Sequence, residues 1–466
     1  MTRVILVRHG ETTSNIAGIV QGRGYLDQPE LQSTLTARGQ QQGTLTGQAL
    51  LGMQFDAVYT SPLVRTKQTL ELIAQQVQNL PQAIAHPLLC EIDLAEWEGL
   101  NFETIRRDFP VIYHQWQNHP QEFRLGDRYP ILDLFDQAQT FWQEILPQHR
   151  RQTILIIGHS GINRALLARA LGLEVNCYHR FQQYNCGITV LNLAGDRAQL
   201  ESANLVTHLA PILGSSLPPT RANHIGPRIL LVRHGETEWN RQGKFQGQID
   251  VPLNPRGEQQ ADLAGDFLAK IPIDYAFSSS MARPKQTALR ILARHSSFSP
   301  STPSQTLQVS QTSSLEYLPQ AGLWVSDRLQ EISHGDWEGK LESEITTEFP
   351  GQLELWQTQP ELVQMPAGEN LDQVWQRVAQ VWQQIITSIP PSKTALVVAH
   401  DAVNKAILCQ VLGLTPKYFW TFKQGNGGVS VIDYIKGPEQ PATLHCVNIT
   451  SHISSGVLDQ TAAGAL

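Results

Sequence analysis

Val4-Ile5-Leu6-Val7-Arg8-His9-Gly10-Glu11-Thr12 decides the fold, and the chain carries the pattern again as Ile229-Leu230-Leu231-Val232-Arg233-His234-Gly235-Glu236-Thr237. Each copy is a short apolar, β-branched run that stops at Arg-His-Gly, as a buried parallel strand does when it runs into a glycine turn. In open α/β sheets ligands bind beyond the carboxyl ends of strands, which puts Arg8, His9, Arg233 and His234 where chemistry is done. Two later runs also end in histidine: Thr153–Gly158 before His159, and Thr394–Ala399 before His400.

Working outward, strands alternate with helices. The spacing predicts a helix near Thr36–Leu51, a strand at Asp56–Thr60 and a helix from Pro62. In the second copy Asn254-Pro255 reads as an N-cap followed by proline at the first helical position, and Ala276-Phe277-Ser278 as the next strand. Helices at Asn163–Leu171 and Asn404–Leu412 follow the two late strands. Alternation of this kind predicts an α/β class: two tandem three-layer α/β/α domains, each a mostly parallel sheet with helices on both faces.

The copies align as a ladder of offsets. His9 to His234 is 225 residues, Arg65 to Arg283 is 218, Glu91 to Glu331 is 240, and both His159 to His400 and Asn185 to Asn426 are 241. Such a period is too long for a solenoid unit and marks duplication of a whole domain. The expected domains are residues 1–210 and 228–453, with a Pro- and Ser-rich linker at 211–227 and a flexible tail at 454–466. The offset changes in Gly24–Ser33 of the first copy and in Ser296–Gln320 of the second, the latter expected to be a mobile surface loop.

At 466 residues the chain exceeds what one hydrophobic core normally serves. No apolar run is long enough to span a bilayer, and the first strand starts too early to leave room for a targeting peptide, so a cytoplasmic location is the default. Five cysteines without C-x-x-C spacing point to reduced thiols rather than a zinc site or a disulfide framework. A net charge of −7 and the lack of basic clusters interleaved with aromatics argue against nucleic acid as a partner. A small anionic ligand is still compatible, because a pocket can be cationic inside an acidic protein.

Each repeat supplies the same set: Arg8, His9, Arg65, Glu91 and His159 in the first, Arg233, His234, Arg283, Glu331 and His400 in the second. Two arginines and two histidines at strand or helix ends form an oxyanion site, since the guanidinium fork suits phosphate oxygens. Arg65 (in Ser61-Pro62-Leu63-Val64-Arg65) and Arg283 (in Ser279-Ser280-Met281-Ala282-Arg283) fall near helix starts, where backbone N–H groups add positive potential. A single carboxylate in such a cage makes sense if it serves the leaving group rather than the phosphate. Taken singly, a strand-end histidine is usually a satisfied core residue; five positions recurring in order reverse that reading. Trp97 and Trp337 read as packing anchors, and Glu11 and Glu236 as organisers of the loop.

The Arg-His-Gly-Glu-Thr stretch, the Ser-x-x-x-Arg helix start, the glutamate ahead of Trp-Glu-Gly and the strand-end histidine resemble the histidine phosphatase superfamily, which includes the cofactor-dependent phosphoglycerate mutases. The resemblance covers nearly the whole chain, twice. It implies a phosphohistidine mechanism that needs no cofactor and no metal, with a small phosphorylated metabolite as partner. His9 and His234 would attack phosphorus. Arg8, Arg65 and His159, or Arg233, Arg283 and His400, would hold the phosphoryl oxygens. Glu91 or Glu331 would protonate the leaving oxygen, and Asn15 and Asn240 would donate a further hydrogen bond to phosphate.

Repeat two stays closer to the family pattern, with Gly335 before Trp337 and the turn Pro366-Ala367-Gly368-Glu369-Asn370. Repeat one has Ala95 and Leu125-Gly126-Asp127-Arg128-Tyr129-Pro130 instead. With Glu91-Ile92-Asp93, Gln115-Trp116-Gln117 and Tyr184-Asn185-Cys186-Gly187, it resembles the 2-carboxyarabinitol-1-phosphatase branch, whose members also carry tandem repeats. Mutases of the family carry a longer insert after the glutamate and an arginine beside it. Here the segments from Gly99 to Tyr129 and Gly339 to Pro366 are short, and Ile92-Asp93 or Ile332-Ser333 follows the glutamate. The expected activity is therefore hydrolysis of phosphomonoesters. The alternatives are a phosphoglycerate mutase, or a chain in which one repeat is a non-catalytic phosphate-binding or regulatory module.

Overall fold

The computed structural model describes residues 1–195, 197–221, 223–295, 314–454 and 456–461, and the chain divides into two compact units, Met1–Pro218 and Pro219–Leu466. In the first unit the strands are β1 (Thr2–Arg8), β2 (Ala57–Thr60), β3 (Ile84–Ala85), β4 (Thr153–Gly158), β5 (Ile188–Ala194) and β6 (Arg197–Leu205). They lie in the order β3-β2-β4-β1-β5-β6. β1 sits inside the sheet, and Val4 to Val7 are fully buried because both faces are covered. It pairs in parallel with β4, Arg8 opposite Gly158. That register brings the residues after both strands, His9 and His159, to one edge, and the His9 N–H donates to the Gly158 carbonyl at 3.0 Å.

The second unit repeats the plan with β7 (Arg228–Arg233), β8 (Tyr275–Ser279), β9 (Glu316–Leu318), β10 (Leu323–Ser326), β11 (Thr394–Ala399), β12 (Val429–Asp433) and β13 (Thr443–Ile449), ordered β13-β12-β7-β11-β8-β10-β9. β7 and β11 pair in parallel with Arg233 opposite Ala399, and His234 N donates to the Ala399 carbonyl at 3.0 Å. Helices flank both sheets, Ala37–Ala49 against Val64–Ala74 and Pro130–Ile145 against Ser160–Ala170 in the first. Their starts follow local chemistry. The Thr36 hydroxyl accepts from Gly39 N at 2.9 Å, and the Asn254 side chain accepts from Gly257 N at 2.8 Å, with Pro255 at the first helical position.

The sheets are more mixed than the alternating pattern predicts. β5 and β6, and likewise β12, β13 and β9, run antiparallel to their neighbours. β5 and β6 follow one another without an intervening helix, and a direct hairpin connection allows only antiparallel pairing. Of the expected mobile loop at 296–320, residues 296–313 lie outside the described residues. Its far end is ordered: Glu316–Leu318 is a strand, and the preceding Leu315 is buried. The expected linker opens with a helical turn, Ala210–Leu213, closed by Gly214 in the left-handed region.

The tail expected to be flexible from 454 is also held. Asp459 has a fully buried side chain within reach of Lys423 Nζ at 3.4 Å, and its carboxylate accepts from Asn448 Nδ2 at 3.2 Å and from Thr461 N at 2.9 Å. Within the tail, Asp459 and Thr461 supply these bonds. Residues 462–466 lie outside the described residues. Among the described residues no helix is long and apolar enough to cross a membrane, and all five cysteines are free and buried.

Candidate active sites

Each sheet ends in a cage at the carboxyl ends of its central strands. In the first unit His9 is 2% exposed and His159 fully buried, their rings edge to face at 5.2 Å between centroids. The second unit places His234 and His400 at 5.1 Å in the same attitude. The turn after each first strand holds the histidine by its backbone. A Cβ on Gly10 would lie 2.5 Å from the Gly39 carbonyl oxygen, so the loop lies on the next helix as only glycine permits. Gly10 N donates to Thr69 Oγ1 at 3.0 Å and Gly235 N to Thr287 Oγ1 at 3.1 Å. Each threonine hydroxyl donates in turn to the carbonyl of Arg65 or Arg283. The histidine turn and the arginine helix are thereby one unit.

That backbone also fixes a tautomer. His9 Nδ1 lies 2.7 Å from the Gly10 carbonyl and His234 Nδ1 2.7 Å from the Gly235 carbonyl. A carbonyl only accepts, so Nδ1 carries the proton and Nε2 keeps its lone pair toward the cage. In the second unit Arg283 Nε donates to that His234 Nε2 at 3.3 Å, whereas in the first Arg65 Nε donates to His159 Nδ1 at 3.1 Å. Burial foremost, then the neighbouring arginines, holds all four histidines well below the usual imidazole range. They are neutral at pH 7.

The arginines are anchored from behind. Arg8 Nη1 donates to the Gln183 carbonyl at 2.8 Å, and Arg65 Nη2 to the Gly22 carbonyl at 3.0 Å. Arg233 Nη1 donates to the Gln424 carbonyl at 2.6 Å, and Arg283 Nη2 to the Gly247 carbonyl at 2.8 Å. Burial pushes Arg8, Arg65 and Arg283 down to about 10, which leaves them charged at neutral pH. Arg8 Nε, His159 Nε2, Arg233 Nε and His400 Nδ1 are buried without a hydrogen-bond partner among the described residues. Buried polar groups without partners are costly, and here they cluster where an oxyanion would accept from them. Among the described residues no group of histidines, cysteines and carboxylates is placed to hold a metal ion.

The glutamates are set by the helix that starts after the second histidine. Glu91 Oε1 accepts from Ile92 N (2.9 Å) and Ile162 N (3.0 Å), and Oε2 from Gly161 N (3.0 Å). Glu331 matches it with Ile332 N, Ala402 N and Asp401 N at 3.0, 3.1 and 3.1 Å. In both, Oε1 takes two of the three bonds and Oε2 takes one. Burial first, and then the Asp401 carboxylate, pushes the Glu331 carboxyl above its ordinary value.

Asn15 and Asn240, expected as phosphate donors, occupy the third helical position of a capping box. Their Oδ1 atoms accept from Thr12 N and Thr237 N at 3.1 and 3.2 Å. Each Oδ1 also accepts from Asn185 Nδ2 or Asn426 Nδ2, which donates to the His9 or His234 carbonyl as well. Asn185, Asn426, Thr69 and Thr287 were thus missed as site residues, although they recur at the same offsets as the cage. In the second unit the tail joins this scaffold, with Asn426 N donating to Thr461 Oγ1 at 3.1 Å. Glu11 and Glu236 tie the loop to the next helix start, accepting from Thr36 Oγ1 and Asn254 Nδ2 at 2.9 Å.

The family model of the histidine phosphatase superfamily (branch 1) matches residues 4–206, 229–308 and 311–447. The chain is 27% identical over 465 residues to 2-carboxy-D-arabinitol-1-phosphatase of Triticum aestivum, covering 97% of this chain and 86% of that protein. It is 30% identical over 226 residues to phosphoserine phosphatase 1 of Hydrogenobacter thermophilus, covering 48% of this chain and 94% of the relative. Similarity extends to a 2,3-bisphosphoglycerate-dependent phosphoglycerate mutase of Chlamydia felis, 31% identical over 189 residues, covering 39% and 83%.

Proposed function

The chain belongs to the histidine phosphatase superfamily, and from that premise we propose that both units are metal-independent phosphomonoesterases acting on small phosphorylated acids or sugars through a phosphohistidine. The carrying observation is the pairing, in each unit, of a histidine whose Nδ1 is tied to a backbone carbonyl with two anchored guanidinium groups. In this reading the Nε2 lone pair of His9 or His234 attacks phosphorus in line and the P–O ester bond breaks. The proton on Glu91 or Glu331 passes to the leaving alkoxide. The resulting carboxylate then takes a proton from water, the oxygen attacks phosphorus, the P–N bond breaks, and inorganic phosphate leaves with the imidazole restored. Positioning and charge stabilisation by Arg8, Arg65 and His159, or Arg233, Arg283 and His400, supply most of the acceleration. Asn15 and Asn240 retain Nδ2 as a donor to the phosphoryl group.

Two features support hydrolysis over phosphoryl return. The segments after the glutamates are short, and the relative matched along 97% of the chain is a phosphatase. The substrate reading includes 2-carboxyarabinitol 1-phosphate, the compound in the wheat relative's name. The test is phosphate release in excess EDTA by wild type, His9→Ala and His234→Ala across 2-carboxyarabinitol 1-phosphate, phosphoserine, pentulose bisphosphates and 3-phosphoglycerate. Each substitution should lower turnover at its own site by about a thousandfold or more. Conversion of 3-phosphoglycerate to 2-phosphoglycerate without phosphate release would make the mutase the correct reading. A variant silent on every substrate would mark its unit as non-catalytic.

A further inference from the structure

The carbonyls leading up to each glutamate are held by one arginine and one glutamine, and the two units place them in opposite positions. In the second unit the cation is Arg377, on the helix Leu371–Ser388. It donates to the carbonyls of Arg328, Gln330 and Glu331 at 2.9, 2.7 and 3.1 Å, and Glu369 neutralises it through two bonds of 2.7 and 2.8 Å. From the loop across the site, the neutral Gln248 donates to the Glu331 carbonyl at 3.1 Å.

In the first unit Gln137 stands on the helix and donates to the Leu88 and Cys90 carbonyls, both at 2.9 Å. The cation has moved to the loop as Arg23. Its Nε donates to the Glu91 carbonyl at 2.8 Å and its Nη2 bonds Gln137 Oε1. Among the described residues no carboxylate pairs with the Arg23 guanidinium. Arg23 directly follows Gly22, whose carbonyl anchors Arg65, and its guanidinium bonds the backbone of Glu91, so it joins the loop of the cage arginine to the glutamate.

A second exchange acts in the same direction. Asp401 follows His400 and sets a buried carboxylate 3.5 Å from Arg233 Nη1 and 2.7 Å from Lys405 Nζ. The first unit has the uncharged Ser160 there, and Arg164, the counterpart of Lys405, donates to the Phe181 carbonyl at 2.9 Å instead. Two homologous positions therefore both make the first site more positive than the second, one beside the glutamate and one beside the strand-end arginine.

Building on the phosphatase reading, we propose that Arg23 is a specificity-determining residue: the first site selects phosphomonoesters that carry a second anionic group, a carboxylate or another phosphate, and the second site does not. A charge-assisted bond from a guanidinium to such a group, with no carboxylate to compete, is worth about tenfold or more in kcat/KM.

The experiment uses the full chain, with His234→Ala to report on the first site and His9→Ala on the second. The substrates are 3-phosphoglycerate and glycerol 3-phosphate, which differ by a carboxylate against a hydroxymethyl group. The ratio of kcat/KM values, acid over alcohol, should be at least about tenfold higher at the first site. R23Q should bring that ratio down to the level of the second site, and R23K should keep part of it. Equal ratios at the two sites, or an R23Q variant that slows both substrates alike as a purely structural prop of Glu91 would, overturn the proposal. If wild type releases phosphate from neither compound, the phosphatase reading fails separately. Calorimetric binding of the same two compounds to wild type and R23Q then decides the charge preference. Selective weakening of 3-phosphoglycerate supports it, and equal affinities overturn it.

Discussion

The turn that faces Glu331 and the turn that faces Glu91 solve one packing problem in two ways. In the second unit Gly335 lies at φ +54°, and a Cβ there would sit 2.0 Å from the Pro366 carbonyl oxygen, so the Pro366–Gly368 turn closes directly onto backbone. Asp336 N donates to that same carbonyl at 2.8 Å. In the first unit Ala95 occupies the position at φ +27°, and the covering segment is held by side chains instead: Arg128 Nη1 reaches Asp93 at 2.7 Å and Arg124 reaches Asp127 at 2.6 Å. The backbone bonds that hold the histidine turn and the glutamate match one for one in the two units. Phosphoryl chemistry in this chain is thus tied to backbone geometry that duplication preserved, whereas the cover, built from exchangeable side chains, was free to diverge.

The sharpest way to break this comparison is to exchange the two residues. Gly335→Ala should lower unfolding stability by roughly 3 kcal/mol, from the left-handed backbone and the forced retreat of the Pro366 carbonyl. Ala95→Gly should be neutral or stabilising by up to about 1 kcal/mol, since it relieves a positive φ. Thermal or denaturant unfolding of the two variants checks this, and equal effects would mean the turns are equivalent after all.

The tail sharpens the contrast at the level of activity. Asp459 holds the Thr461 hydroxyl, which accepts from Asn426 N, and Asn426 in turn holds the His234 carbonyl. Asp459→Ala should reduce turnover of the second site by about tenfold through a looser His234, while the first site, read in the His234→Ala background, keeps its rate. A uniform loss at both sites would point to global destabilisation instead.

The smallest and most graded effect is on pH. Burial pushes His334 down to about 3 and His208 and His452 to about 4, and the four cage histidines are lowered too. The unfolded chain takes up protons near pH 6.5 that the folded chain refuses, so stability from these groups is complete above about 6.5 and declines as pH falls toward 4. Inorganic phosphate or vanadate in the cages should oppose the decline by raising the midpoint. A melting temperature flat from pH 7 to 5 would contradict the assignment of neutral buried imidazoles.

Much of the site was legible from residue order. The strand ends at Arg8 and Arg233, the histidines after β4 and β11, and the arginines in the first turn of their helices lie where apolar runs end and the following helices begin, because these signals are local. The antiparallel strands were less legible, since alternation of helix and strand says nothing of strand direction once a hairpin replaces a crossover. The roles of Thr69 and Asn185 were not legible, because a threonine within a helix and an asparagine in a loop look ordinary until their partners 59 and 176 residues away are known.

By itself, then, the amino-acid order determined that a domain was duplicated, that each copy is an α/β unit with two strand-end histidines, and which charged residues could form an anion cage. Only the tertiary structure decided what the differences between the copies do. The exchange of Arg23 and Gln137 for Gln248 and Arg377, the brace that Asp459 supplies, and the replacement of a backbone-closed turn by an Arg128–Asp93 pair all join residues distant in the chain. Periodicity and capping act within a few residues. The charge that an arginine contributes depends on which carboxylate stands beside it, and that is settled when the sheet brings the loops together.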